Sequence, residues 1–311
     1  MSRTVIAAVD GSAESLAAAD WAAHEAQMRR LPLHLLHVWQ DWSRAFAHAP
    51  FTGLDTTPCE GAATAAQHYA EQVTHEASDR LRAAHPGLEI SVEQVHGRPA
   101  EVLLSAAEKA EVLVVGSRGL GSLAGFLTGS VSLPVIAHAE RPVVAVRAGE
   151  RAECAPLPGT GDHGDRKGQC LDVVLGLDLS RPCDELLAYA FEAAAARAAT
   201  LRVVHGWSVP VVEGYDPAAA DPGHGVALGL REASALTDVL RSWRGKFPQV
   251  EVKEQCLVGR PAGHLVEASK EASLLIVGRR IRRAAVGAHI GPVTHAVLHH
   301  ATTPVAVVPH L

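Results

Sequence analysis

The chain has 311 residues, 48% hydrophobic and 20% charged, which suits two domains with their own cores at roughly 150 residues each. Against 34 Asp and Glu stand 28 Lys and Arg, a net charge of -6 that argues against general nucleic-acid binding while leaving room for a local basic patch. No apolar stretch reaches the roughly 18 residues of a membrane span, no apolar signal core precedes the first strand pattern, and the five cysteines form no C-x2-C pair. The expectation is a cytoplasmic protein with reduced thiols and no membrane association.

In chain order, Thr4–Val9 predicts a strand over about 3–9 that ends at Asp10. A helix over about 14–30 follows, with Ser12 as N-cap and Leu16, Ala19, Ala23 and Ala26 on one face. A second strand covers about 33–39, a loop-like stretch 40–60, and a helix about 61–85. A third strand then covers about 88–95, a helix about 99–109 and a fourth strand about 111–116. A helix over about 129–139 and a strand over about 142–147 complete the pattern. Alternating elements with continuous apolar strands predict a parallel sheet covered on both faces. Ligands of such sheets bind beyond the strand C-termini, where Asp10 and Gly116 both fall.

The pattern then repeats. Asp10 and Asp178, His37-Val38-Trp39 and His205-Gly206-Trp207, Gly97-Arg98-Pro99-Ala100 and Gly259-Arg260-Pro261-Ala262 correspond in order, as do Gly116 and Gly278, then Gly129 and Gly291. The offset is 168 residues at Asp10 and Asp178 but 162 at Gly97 and Gly259, so the second copy lacks six residues after its His-x-Trp. Domains are expected at 1–148 and 170–311, joined by a Gly- and Pro-rich linker at 149–169.

The first copy holds one phosphate-like signature. Gly116-Ser117-Arg118-Gly119, nine residues, then Gly129-Ser130-Val131-Ser132 follow the apolar strand at 111–115. Glycines let backbone N–H groups approach an anion, and a helix start adds free N–H groups and the positive dipole end. Ser130 and Ser132 can donate hydroxyl hydrogen bonds to phosphate oxygens. Arg118 can either pair with a phosphate or point into solvent.

With Val9-Asp10-Gly11-Ser12 after the first strand, these residues make the chain resemble a tandem universal stress protein along both halves. The resemblance implies two Rossmann-like α/β domains, adenine nucleotide alpha hydrolase-like, each an open five-stranded parallel sheet of order 3-2-1-4-5 with helices on both faces. It also implies ATP binding in the first domain by Ala8, Asp10, Val38, Gly116, Ser117, Arg118, Gly119, Gly121, Gly129, Ser130, Val131 and Ser132, with Mg2+ carried on the phosphates. The last strands, Val143–Val146 and Val305–Val308, would pair in a homodimer or an internal pseudo-dimer.

The second copy departs from the motif. Ile281 stands for the second glycine and Pro292, which lacks both hydroxyl and N–H, for the serine. A weak or absent ATP site is expected there. Arg279, Arg280, Arg282 and Arg283 read first as a solvated basic loop, with a phosphate-rich ligand or an acidic partner as alternatives.

Other signals are weaker. Gly119-Leu120-Gly121-Ser122-Leu123-Ala124 fits a dinucleotide pattern only loosely, because it does not open a helix after a first strand. There is no P-loop lysine, so phosphoryl transfer lacks its usual charge stabilisation. His295 and His299 stand four apart beside His300, but without the Glu of H-E-x-x-H, and a helix-surface or interface role is expected. The functional expectation is a nucleotide-binding stress sensor or regulator with an unidentified protein partner. A slow ATPase or phosphotransferase, or a nucleotide-free interaction scaffold, is the alternative.

Overall fold

The computed structural model describes residues 3–40, 62–117, 131–149, 171–208, 222–281 and 290–311, with backbone alone at 62–66 and 222–224. Contacts divide the chain into two units, Met1–Arg151 and Ala152–Leu311. Most of the expected linker lies outside the described residues.

In the first unit the described elements run β1 (Val5–Ala8), α1 (Ala13–Arg29), β2 (Leu33–Trp39), α2 (Ala62–Ala84) and β3 (Ile90–His96). Then come α3 (Pro99–Lys109), β4 (Val112–Gly116), α4 (Ser132–His138) and β5 (Val143–Val146). The strands lie in the order β3-β2-β1-β4-β5, and every pair is parallel. The apolar runs explain the core: Val5, Ala7, Leu33, Leu35 and Val112 to Val114 have no exposed surface. α1 packs with α2, and α3 with α4, a pair for each side of the sheet.

Ser12 caps α1 as its pattern predicts, its hydroxyl accepting the Ser15 N–H at 3.2 Å. Cover on both faces holds for β1, β4 and β5 but not for the edge strand. In β3, Ser91, Val92 and Glu93 are exposed, and His34 of β2 bonds Ser91 at 2.8 Å and Glu93 at 3.0 Å. Alternating polar residues in β3 suit a strand with one wet side.

The second unit repeats the plan. Its elements are β6 (Asp172–Gly176), α5 (Asp184–Ala196), β7 (Leu201–Trp207), α6 (Pro222–Lys246) and β8 (Val252–Val258). They continue with α7 (Pro261–Ser269), β9 (Ala272–Arg280), α8 (Pro292–His300) and β10 (Val305–His310). The order is β8-β7-β6-β9-β10, again parallel. α6 has 25 residues against 23 in α2, so the net loss of six residues in the second copy lies in the connection after β7, not in the helix.

Two local differences matter below. α5 begins three residues later in the repeat than α1. Pro182 disfavours a helical residue before it, and Cys183 replaces Ser180 as cap. β9 and β10 are longer than β4 and β5, and their ladder runs on through Gly278 with Val308, Arg279 with Pro309 and Arg280 with His310.

Candidate functional site

A cavity of about 200 Å³ opens at the C-terminal ends of β1, β2 and β4 in the first unit. Of the predicted positions, Ala8, Asp10, Val38, Gly116, Val131 and Ser132 line it. Arg118, Gly119, Gly121, Gly129 and Ser130 lie outside the described residues. The cavity has two characters. Leu36, Val38, Pro99 and Leu103 give an apolar side, while Asp10, Ser12, Glu14 and Ser15 give a polar one.

The polar side is built by a turn. The Asp10 carboxylate accepts the Ser12 N–H at 3.0 Å and the Ser12 hydroxyl at 2.6 Å, and the Asp10 N–H donates to Ser15 Oγ at 3.2 Å. Gly11 completes the turn at φ 84°, where a Cβ would also stand 2.8 Å from the Tyr69 hydroxyl. Burial pushes the Asp10 carboxyl up. The Ser12 hydroxyl and N–H, helped by Ser15 and His37, outweigh that and hold it below its usual range. Asp10 is therefore held as an anion.

The His-x-Trp histidine is a strut. His37 Nδ1 donates to the Val9 carbonyl at 2.7 Å, satisfying the buried end of β1 and fixing the tautomer. His205 does the same for Leu177 at 2.9 Å.

Three predicted residues have structural duties. A Cβ on Gly116 would stand 2.7 Å from the Glu14 carbonyl carbon and 2.8 Å from Ser15 N, so this glycine is needed to let β4 meet the first turn of α1. Ser117 is buried outside the cavity lining, its N–H donating to the Val146 carbonyl at 2.7 Å. The Ser132 hydroxyl donates to the Gly116 carbonyl at 2.7 Å. The single hydrogen of this hydroxyl is thus engaged with the backbone. Thr294 makes the same bond to Gly278 at 2.9 Å.

Pro99, Leu103, Glu14 and Ser15 line the cavity without having been singled out as site residues. Pro99 carried a signal, since it sits in the tetrapeptide that both copies share. Leu103 follows one helical turn later on the same face of α3.

In the second unit, among the described residues, α7 lies close against the strand ends at the matching place. Gly176 and Gly206 stand where the first unit has Ala8 and Val38. A Cβ on Gly176 would meet Leu265 Cδ1 at 2.8 Å, and one on Gly206 would meet the Pro261 Cα at 2.7 Å. The start of α7 has thus settled onto the strand ends. The equivalent of Gly119 is also committed, since Ile281 N–H donates to the His310 carbonyl at 2.7 Å. Arg279 is a buried strand residue and Arg280 an exposed one, a correction to the basic loop expected there; Arg282 and Arg283 lie outside the described residues. The Asp178 turn persists, with Ser180 N–H and hydroxyl at 3.0 and 2.7 Å.

Among the described residues, no group of three or more His, Cys, Asp or Glu is placed to hold a metal, and no helix is long and apolar enough to cross a membrane. Free thiols remain at Cys183 and Cys256. Burial and the Glu185 carboxylate push the Cys183 thiol up to about 11.

Fold and site together define a tandem α/β protein with a crevice beyond the strand ends of its first unit. The profile of the universal stress protein family matches residues 1–147 and 172–309. A universal stress protein of Mycolicibacterium smegmatis is 31% identical over 308 residues, covering 98% of this chain and 96% of the relative. One of Mycobacterium tuberculosis is 32% identical over 305 residues, with 97% and 96% covered. The crystal structure of a universal stress protein from Archaeoglobus fulgidus shares the fold at 19% identity, with a TM-score of 0.67 and 99% of both chains covered. The chain belongs to the universal stress protein family, with two such domains in tandem.

Proposed function

We propose that the first unit binds an adenine nucleotide, ATP foremost, and that occupancy of this one site sets the protein's choice of partner in a stress response. The observation that carries the reading is the meeting of Ala8, Asp10, Val38, Gly116, Val131 and Ser132 around one cavity. Its apolar side suits a base, and its anionic Asp10 suits hydroxyl or amino donors rather than phosphate. Phosphates therefore belong at the Gly116–Ser132 end. At about 200 Å³ the cavity is below the roughly 300–1,000 Å³ of sites that enclose a drug-sized ligand, so it would take base and sugar and leave the phosphates outside it. Mg2+ would arrive on those phosphates.

Mass spectrometry of small molecules released from the purified, denatured chain tests this directly. An adenine nucleotide near one per chain is expected. No such nucleotide, together with unchanged thermal stability in millimolar MgATP, would contradict it, since a ligand of the folded state must raise stability.

A further inference from the structure

The long helices α2 and α6 correspond at the offset of 162 residues. Arg82 and Arg244 confirm it, each donating to a strand carbonyl further on, Ile90 at 3.3 Å and Val252 at 3.1 Å. α1 and α5 correspond at 168, and Arg30 and Ala198 follow them at φ 55° and 48°. In the first unit an arginine crosses between the two helices. Arg80 of α2 donates through Nη2 to the Leu16 carbonyl of α1 at 3.2 Å and to Asp20 Oδ1 at 2.9 Å. In the second unit Ser242 stands in place of Arg80, Asp184 in place of Leu16 and Ala188 in place of Asp20. A cavity of about 400 Å³ opens there between α5 and α6, within the roughly 300–1,000 Å³ of small-molecule sites.

Leu187, Val239 and Trp243 give this cavity an apolar wall, and Asp184 and Glu185 give it an anionic rim. The Cys183 thiol donates to Glu185 at 2.9 Å and is the main cause that holds its carboxyl below the usual range. The cations around Ser242 on α6 are engaged: Arg241 pairs with Asp238 at 2.5 Å, Arg244 with Glu254 at 2.6 Å, and Lys246 Nζ lies 4.2 Å from the Trp243 ring centroid. We propose that the cavity binds a small organic cation, a guanidinium or amidinium on an apolar body, in the place that Arg80 holds in the first unit. The planar group would donate to the Asp184 and Glu185 carboxylates, whose shape a fork of N–H donors matches. The body would lie against Leu187, Val239 and Trp243, where its burial removes apolar surface from water.

The test titrates the full chain, without nucleotide, with benzamidinium, followed by calorimetry and ligand-observed NMR. One saturable site per chain is expected, about fivefold or more tighter than for benzyl alcohol, which has the body without the charge. Ser242→Arg restores the side chain of the first unit and should abolish the binding. Asp184→Asn combined with Glu185→Gln, both at exposed positions, should bring benzamidinium down to the level of benzyl alcohol. Circular dichroism checks the fold of each variant, and should Ser242→Arg not fold, the carboxylate variant decides alone. No saturable site, equal affinity for the two compounds in the unmodified chain, binding kept in a folded Ser242→Arg, or a preference for benzamidinium that persists without the carboxylates would each overturn the proposal.

Discussion

The two units share a frame and differ in what stands at the strand ends. Both tie β1 or β6 to its neighbour through a histidine, both latch Gly116 or Gly278 through a hydroxyl, and both fold Asp-x-Ser into the same turn. Yet the first keeps a cavity beside Ala8 and Val38, while in the second Leu265 and Pro261 rest on Gly176 and Gly206. Close packing explains the reversal. Smaller residues on the strands do not make a larger hole, because the facing helix moves in.

A second contrast lies between the first two helices of each unit. In the first unit His85, just after α2, is buried against His24 of α1 with ring centroids 4.7 Å apart, and its Nδ1 bonds Gln27 at 2.8 Å. In the second, Phe247 holds the matching place and packs on Phe191 at 5.5 Å, next to Trp243. One contact is polar and titratable, the other aromatic and indifferent to pH.

The largest expected effect comes from removing the wall of the closed crevice. Leu265→Ala should destabilise the chain by about 2–5 kcal/mol in urea unfolding, the usual range for a buried leucine. It should not create an ATP site, because Ile281 N–H stays bonded and Pro292 still lacks a hydroxyl. ATP binding gained by this variant would show that filling alone closes the second site.

The glycines should separate next. Gly116→Ala drives a Cβ into the backbone of α1 and should cost about 1–3 kcal/mol. Gly278→Ala meets only the side chains of His310 and Leu186, which can turn aside, and should cost clearly less. Equal costs in urea titrations would mean the glycines do the same job in both units.

Ser132→Ala and Thr294→Val each leave a strand-end carbonyl without its donor and should each cost about 1–3 kcal/mol without nucleotide. A Ser132→Ala effect that appears only with ATP present would return this hydroxyl to the ligand.

The smallest effect is on pH dependence. Burial, and then the charge of His24, hold His85 below its ordinary value of 6.5, while nearby Asp20 opposes them. The folded state therefore binds this proton less readily than the unfolded one. Stability should be full above about pH 6.5 and fall as acidification passes the unfolded value and then the folded one. Asp20 is itself raised by burial, against Arg80, and contributes with the opposite sign. Unfolding free energies followed from about pH 7.5 to 5.5 should flatten in His85→Phe, which copies Phe247. An unchanged slope would remove His85 as its source.

Much of this was legible in the sequence. The apolar runs gave the strands, Ser12 gave the cap, and the repeat gave two units, because each rests on local pattern. Asp10, Ala8 and Val38 were legible as strand-end residues. Leu103 was not, since an apolar residue on a helix face looks the same whether it lines a cavity or fills a core. The closure of the second crevice was visible only in part: Ile281 and Pro292 signalled the lost motif, but Gly176 and Gly206 gave no sign that α7 would settle onto them. A hydroxyl at a helix start such as Ser132 fits a latch as well as a ligand, and the matching bond of Thr294 is what draws attention to the latch.

Isothermal titration of the full chain with MgATP tests the asymmetry most directly. One site per chain is expected, lost in Val38→Trp, which fills the open cavity, and kept in Asp178→Ala. Two sites, no site, or one that survives Val38→Trp and disappears with Asp178→Ala would contradict the account.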